Sequence, residues 1–291
     1  MILVAGATGR LGTEIIRRLR AKGETVRALT RTTSAPEKVA SLEELGAEIV
    51  RGNLRDRASL DSAAKGADTV ISTVSMIGTA KEGDSFDDTD AAGTISLIDA
   101  AKSAGAKHFI FVSFDSSLFP ETPLTRAKKK VEDHLRQGGI DYTILRPSPF
   151  MEIWLGPMLF GDPSTGQVKI FGQGDGKVPY VSLFDVAEVA VRAVSAPSAR
   201  NATIAFTGPE SISQRNAVRQ FEEAFSKPLT VTAVPAEALE LQWQSSENPF
   251  EVTFAGLMLG IARLDEEPTP LEPEMAFEMA TVRDFAKKSH G

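Results

Sequence analysis

The chain opens on a short apolar run, Ile2-Leu3-Val4-Ala5, that breaks at once into Gly6-Ala7-Thr8-Gly9-Arg10-Leu11-Gly12. Consecutive apolar residues ended by glycine read as a strand covered on both faces, and Leu11, Ile15, Ile16 and Leu19 then recur at helical spacing. The rhythm repeats. Apolar runs rich in Val and Ile predict strands at 1–5, 25–30, 47–51, 67–72, 106–112 and 140–145. Amphipathic patterns predict helices at 9–21, 36–45, 56–64, 86–103 and 123–137. Strands alternating with helices imply right-handed crossovers and a doubly wound parallel sheet.

The pattern breaks at 147–180, where Pro147, Pro149, Pro157, Pro163 and Pro179 interrupt it together with a cluster of glycines. It resumes at Val178-Pro-Tyr-Val-Ser-Leu-Phe-Asp185, where Ser182 or Asp185 is placed to cap a helix running to about 195. A strand is expected near 202–206, and helices near 211–226, 235–246, 248–263 and 272–288. The fold class expected is α/β. A Rossmann-type parallel sheet is built from 1–150 and 178–207, and a smaller, mostly helical substrate lobe from 151–177 and 208–291.

The glycines at 6, 9 and 12 carry chemistry because of what flanks them. A tight turn between a buried strand and a helix lets the main chain approach a pyrophosphate, while the amides and dipole of the helix start hold the anion. Ala7, Thr8, Arg10 and Leu11 lie in the same turn. The second strand ends Leu29-Thr30-Arg31-Thr32-Thr33-Ser34. An acid at this point grips the ribose hydroxyls of NAD, and would repel a 2′-phosphate; Arg31 instead pairs with one. The cofactor expected is NADP(H), with NAD(H) second, and Arg10 is a further phosphate partner. Asn53 and Leu54, after strand three, are candidates for the adenine amine and ring, with Asp56 as a helix cap. Thr73 and Val74, after strand four, lie where the backbone can approach ribose and phosphate.

Composition narrows the alternatives. The 291 residues carry 42% hydrophobic and 24% charged positions, enough for a large core. The net charge of −7 argues against nucleic acid, which needs a basic face. The one dense basic run, Arg126-Lys128-Lys129-Lys130, reads first as a solvated helix face. There is no cysteine, so thiol chemistry is excluded, and His108, His134 and His290 have no metal-ligand spacing. A functional strand at residue 2 leaves no room for a signal peptide, and no apolar run is long enough to span a membrane. A cytoplasmic location is expected.

The spacing Gly-x-x-Gly-x-x-Gly resembles the extended and atypical short-chain dehydrogenases/reductases. The chain as a whole resembles their NmrA-like branch. The segments that carry this are Gly6–Gly12, Gly52-Asn-Leu-Arg-Asp56, Phe111-Val-Ser113, Ala127-Lys128 with Glu132, Asp141-Tyr-Thr-Ile-Leu-Arg-Pro147, Val178–Ala187 and Thr207-Gly-Pro-Glu210. The resemblance implies binding of NADP or NAD. Some members reduce quinones, dyes, enones or phenolic ethers; others sense the redox state of the cofactor.

It also implies where the chemistry lies. Typical members of the superfamily place Tyr-x-x-x-Lys on the helix after strand five, with a serine at that strand's end. The lysine holds the nicotinamide ribose and the tyrosine donates a proton. Here Lys128 matches the lysine and Ser113 the serine, but Leu124 stands in the tyrosine's place. In relatives the turn matching Pro147-Ser-Pro-Phe150 lies against the nicotinamide. Phe114, Phe150, Met151, Trp154, Leu155, Met158 and Phe160 are candidates for an apolar pocket, closed by Trp243 or Phe250, although the same residues suit the lobe's own core. Tyr142 is expected to be packed in a strand, and Tyr180 to be the more open phenol. The partner implied is a small apolar or aromatic substrate, with monomer and homodimer both open. Two readings follow. One is an NADPH-dependent reductase of a conjugated acceptor such as a quinone. The other is a non-catalytic NADP(H)-binding sensor acting through a protein.

Overall fold

A computed structural model describes residues 1–77 and 84–290. The first strand, β1 (Ile2–Ala5), has all four residues buried, as its unbroken apolar run requires. The amphipathic helix α1 (Arg10–Ala21) buries Leu11, Gly12, Ile15, Ile16 and Leu19. Then follow β2 (Val26–Thr30), α2 (Pro36–Glu44), β3 (Glu48–Arg51), α3 (Arg57–Ala64) and β4 (Thr69–Ser72). A π-helical turn at Phe86–Gly93 leads into α4 (Thr94–Ser103), and then β5 (His108–Val112), α5 (Pro123–Gln137) and β6 (Asp141–Pro147). After the break come α6 (Met151–Trp154), β7 (Gln167–Phe171), β8 (Lys177–Val178), α7 (Leu183–Ala193) and β9 (Ala202–Phe206). The chain finishes with β10 (Ile212–Ser213), α8 (Gln214–Phe225), β11 (Thr230–Val234), α9 (Ala236–Ser245), α10 (Pro249–Arg263) and α11 (Val282–His290).

Seven strands form one sheet in the order β3-β2-β1-β4-β5-β6-β9. The pairs from β3 through β6 are all parallel. The order reverses direction between β1 and β4, and ligands of such sheets bind at the carboxyl ends of the strands at that point. The expected doubly wound parallel architecture is therefore present.

The chain divides into two compact units. The first comprises Met1–Ser113, Arg126–Arg146 and Val186–Ile204, and holds the sheet core around Leu3, Leu60, Leu97, Phe109 and Phe111. The second comprises Phe114–Thr125, Pro147–Asp185 and Ala205–Gly291, with its own core around Met151, Phe160, Ile170, Tyr180, Phe221 and Leu259.

Four expectations need correction. Residues 114–125, 147–150, 178–185 and 205–207 group with the second unit; Phe119 packs against Gly260 and Thr122 against Gly256 of α10, and Tyr180 belongs to the lobe's core. The assigned boundary followed strand rhythm, which cannot see such long-range packing. The second unit is also less helical than expected. It contains a parallel pair, β7 with β11, and an antiparallel pair, β8 with β10, made from runs too short to stand out among glycines and prolines. The helix expected at 272–288 begins only at Val282. Thr281 starts it, its hydroxyl bonded to the Asp284 carboxylate at 2.7 Å and accepting from the Asp284 amide at 3.2 Å. Finally, the basic run on α5 is not uniformly solvated. Lys129 and Lys130 are exposed and ion-paired, but Lys128 is only 5% exposed.

Candidate functional site

At the switch point the glycine turn has little room for side chains. Gly6 has φ +77°, and a Cβ there would lie 2.5 Å from Thr73 Oγ1. A Cβ on Gly12 would lie 2.3 Å from the Gly6 carbonyl oxygen. The turn is closed by main-chain bonds, Gly9 N to Gly6 O at 3.0 Å and Thr13 N to Gly9 O at 2.9 Å. Thr13 Oγ1 also donates to the Ala7 carbonyl at 2.9 Å. Helix α1 begins after Gly9 with no side-chain cap and no acid in its first turn. Helix starts are normally capped by an oxygen. An uncapped start beside a bare glycine turn fits an anion, which supplies the missing acceptor. Thr8 is half-buried, Arg10 is exposed at the head of α1, and Ala7 and Leu11 pack inward.

The strand ends around this turn are ordered from below. Thr73 donates from its amide to the Ala5 carbonyl at 3.1 Å and from its hydroxyl to the same oxygen at 3.2 Å, tying the ends of β1 and β4. Arg31 lies just past β2, exposed, and has no ion pair among the described residues. Asn53, also exposed, accepts the Arg55 amide at 3.0 Å through Oδ1. That Asx turn orients the side chain and leaves its amide nitrogen for an acceptor. Leu54 packs on the core of the first unit rather than standing open. Asp56 caps α3 by accepting the Ala58 amide, as expected.

Lys128 is the main polar group buried beside this edge. Its Nζ donates to the Val74 carbonyl at 2.9 Å and the Val112 carbonyl at 3.3 Å, at the ends of β4 and β5, and lies 4.7 Å from the centre of the Phe111 ring. Burial pushes the ammonium's pKa down, while Asp90 and then Glu132 hold it up. Asp90, on the π-helical turn, is fully buried and accepts the Met76 amide at 3.1 Å through Oδ2. Burial raises its carboxyl above the usual range, against the pull of Lys128. Lys128 and Asp90 thus hold the same short segment after β4 from two sides. Sequence reasoning missed Asp90; an acid inside an apolar helical stripe was the available signal.

Glu132, one turn after Lys128, is 3% exposed and accepts from Arg136 at 2.9 Å and from both arms of Arg146. This fixes α5 against β6, and with it the height of Lys128 over the strand ends. Ser113 is 5% exposed, and its Oγ has no hydrogen-bond partner among the described residues. A buried hydroxyl without a partner is uncommon and suits a ligand contact.

The second unit takes the remaining candidates. Phe114 is half-buried, edge-on to Phe119 at 5.5 Å between centroids. Pro147 is buried, and Phe150 half-buried in a bridge to Val181. Trp154 is half-buried and edge-on to Phe171 at 6.2 Å, and Met158 is 64% exposed. Met151 is wholly buried in the lobe's core. Tyr180 is the clear correction: it is 2% exposed, not open, and burial raises its phenol far above the usual range. Its ring is part of the hydrophobic core of the second unit. Tyr142 packs against the sheet core, as expected. Trp243 donates its indole N–H to the Glu121 carbonyl at 3.0 Å and lies over Gly256.

Comparison with known proteins decides the lineage. The profile of the NmrA-like family matches residues 1–285. The chain belongs to the NmrA-like family. It is 32% identical over 257 residues to the photosystem II assembly factor Ycf39 of Synechocystis, covering 87% of this chain and 76% of that protein. It is 33% identical over 240 residues to the (4-alkanoyl-5-oxo-2,5-dihydrofuran-3-yl)methyl phosphate reductase of Streptomyces griseus, covering 82% and 78%. Among solved structures, the NADPH complex of an NADPH-dependent quinone oxidoreductase from Escherichia coli superimposes with a TM-score of 0.79 over 99% of both chains, at 22% identity. Among the described residues no helix is long and apolar enough to cross a membrane, and no cluster of acids and histidines could hold a metal.

Proposed function

We propose that this protein is an NADPH-dependent reductase of a small conjugated or aromatic acceptor such as a quinone. The observation that carries the reading is the buried Lys128, held between the ends of β4 and β5, in a sheet whose glycine turn leads into an uncapped helix start. The glycine turn at Gly6, Gly9 and Gly12 would seat the pyrophosphate, and Arg31 the 2′-phosphate. Asn53 would meet the adenine, Thr73 and Val74 the ribose and phosphates by their main chain, and Pro147 and Phe150 the nicotinamide. When bound, NADPH supplies the hydride. Lys128 would orient the nicotinamide ribose. With Leu124 in the place of the usual proton donor, an acceptor that needs no phenol beside it fits best. Lys128 or water provides the proton, and Ser113 Oγ a hydrogen bond to nicotinamide or substrate. The partly exposed apolar side chains Phe114, Trp154 and Met158 supply recognition of an aromatic acceptor.

A relative of similar identity is an assembly factor, and this favours a second reading: an NADP(H)-binding regulator working through a protein partner. Oxidation of NADPH against a panel of quinones, enones and azo dyes separates the two. Turnover with at least one acceptor supports the reductase. If no acceptor is reduced, and the oxidised and reduced cofactors bind with different affinities, the regulator stands.

A further inference from the structure

At the carboxyl ends of β2 and β3 the exposed Arg51 side chain meets the main chain of Arg31, itself an exposed residue. Gly52 N donates to Thr30 O at 3.0 Å, locking the strand ends in register. Beyond that bond, Arg51 Nη1 donates to the Arg31 carbonyl at 3.0 Å, the same oxygen that accepts the Ser34 amide at 3.0 Å. The Arg51 guanidinium therefore stands over the turn that carries Arg31. Neither arginine has an ion pair among the described residues. The other end of the same two strands is different: there Arg27 meets Glu48 through two bonds, at 3.0 and 3.1 Å. Two exposed arginines on adjoining strand ends thus have no acid paired with them among the described residues, in a chain of net charge −7. An anion bound at this edge would be attracted by both charges. One hydrogen bond to Arg31 uses one of Arg51's five donors and leaves the rest of its fork for an oxyanion.

We infer that Arg51 is a second specificity residue. With Arg31 it forms a two-guanidinium seat for the phosphomonoester on the adenosine ribose, and so sets the preference for NADPH over NADH. The inference rests on the nucleotide-binding reading above and extends it to a residue on β3. The position follows from the fold: the pyrophosphate seat at α1 directs the adenosine half toward the β2 and β3 ends.

The test is titration of the purified chain with NADPH, NADH and 2′,5′-ADP, for the native protein and for Arg51→Met and Arg51→Gln. Both variants remove the charge, and Arg51→Gln keeps a polar donor at this exposed edge, so an unchanged melting temperature shows that a loss of affinity is not a loss of folding. The expected result is a loss of about tenfold in affinity for NADPH and 2′,5′-ADP in both variants, as for a charge-assisted bond. NADH affinity is unchanged, and the melting temperature of Arg51→Gln is native. Native NADPH affinity in Arg51→Gln, or an equal loss for NADH, overturns the inference while leaving the nucleotide reading intact. A native chain that binds neither nucleotide overturns both.

Discussion

Lys128 Nζ donates to the carbonyl of Val74, 2.9 Å away and 54 residues back in the chain. The bond makes the helix after β5 hold the loop after β4, at the edge where the sheet order reverses. A buried ammonium is costly, so its position between two carbonyls and an aromatic face points to use rather than to stability alone.

Replacing Lys128 with Met removes these bonds. We expect the affinity for NADPH to fall about ten- to a hundredfold, corresponding to roughly 1.5–3 kcal/mol for a lost charge-assisted hydrogen bond. Reductase turnover should fall at least as far. Calorimetric titration and initial rates with saturating nucleotide measure the two effects separately.

The glycine turn has no space for a methyl group. Gly12→Ala places a carbon 2.3 Å from the Gly6 carbonyl, so the turn must move. Overpacking of this kind costs about 1–3 kcal/mol. A lower melting temperature and nucleotide affinity reduced by more than tenfold are expected together. Unchanged binding in Gly12→Ala would show that the turn is not the pyrophosphate seat.

Glu132 should matter more to stability than its place on the helix surface pattern suggests. It is almost fully buried between Arg136 and Arg146. Glu132→Gln removes the negative charge that Arg136 and Arg146 share; both guanidinium groups keep some solvent contact, so a loss of about 1.5–3 kcal/mol is expected. Urea denaturation of the two proteins gives the difference directly.

Acid should weaken the first unit through His108. Thr143 gives its hydroxyl hydrogen to the Ala199 carbonyl at 2.6 Å, so His108 Nε2, 2.8 Å from the same hydroxyl, must be the donor. Nδ1 is then left buried without a partner among the described residues. Burial, aided by the Arg200 charge and opposed by Asp141, pushes the imidazole from 6.5 down to about 4. The unfolded chain therefore binds the extra proton first. Stability is fully present above about pH 6.5 and declines as the pH falls from there toward 4, by at most roughly 3 kcal/mol. Urea midpoints between pH 7 and 5 should fall in the native protein and fall less in His108→Gln.

Much of this molecule was legible in its sequence, and the reasons differ by residue. The doubly wound parallel class follows from alternating elements and the handedness of crossovers. The strand at Ile2–Ala5 and the helix from Arg10 to Ala21 were marked by periodicity alone. Lys128 was legible through the resemblance, which matches it to the family's lysine, while the basic run around it read as solvated. Tyr180 was not, because a phenol's chemistry advertises a function that only tertiary burial can withdraw. The segment before Val282 read as helix because Glu, Met, Ala and Phe favour one, yet Pro268, Pro270 and Pro273 lie upstream and the cap at Thr281 sets the start. Asp90 carried a signal, an acid within an apolar helical stripe, whereas the Arg51 contact depends on two strands brought together in the sheet.

The central claim is that the turn at Gly6–Gly12, Arg31 and the buried Lys128 together hold a nicotinamide nucleotide carrying a 2′-phosphate. Isothermal titration of the purified chain with NADPH and NADH tests it most directly. Saturable heat with NADPH in the micromolar range, and about ten- to a hundredfold weaker binding of NADH, is the predicted result. No heat from either nucleotide at millimolar concentration would contradict it.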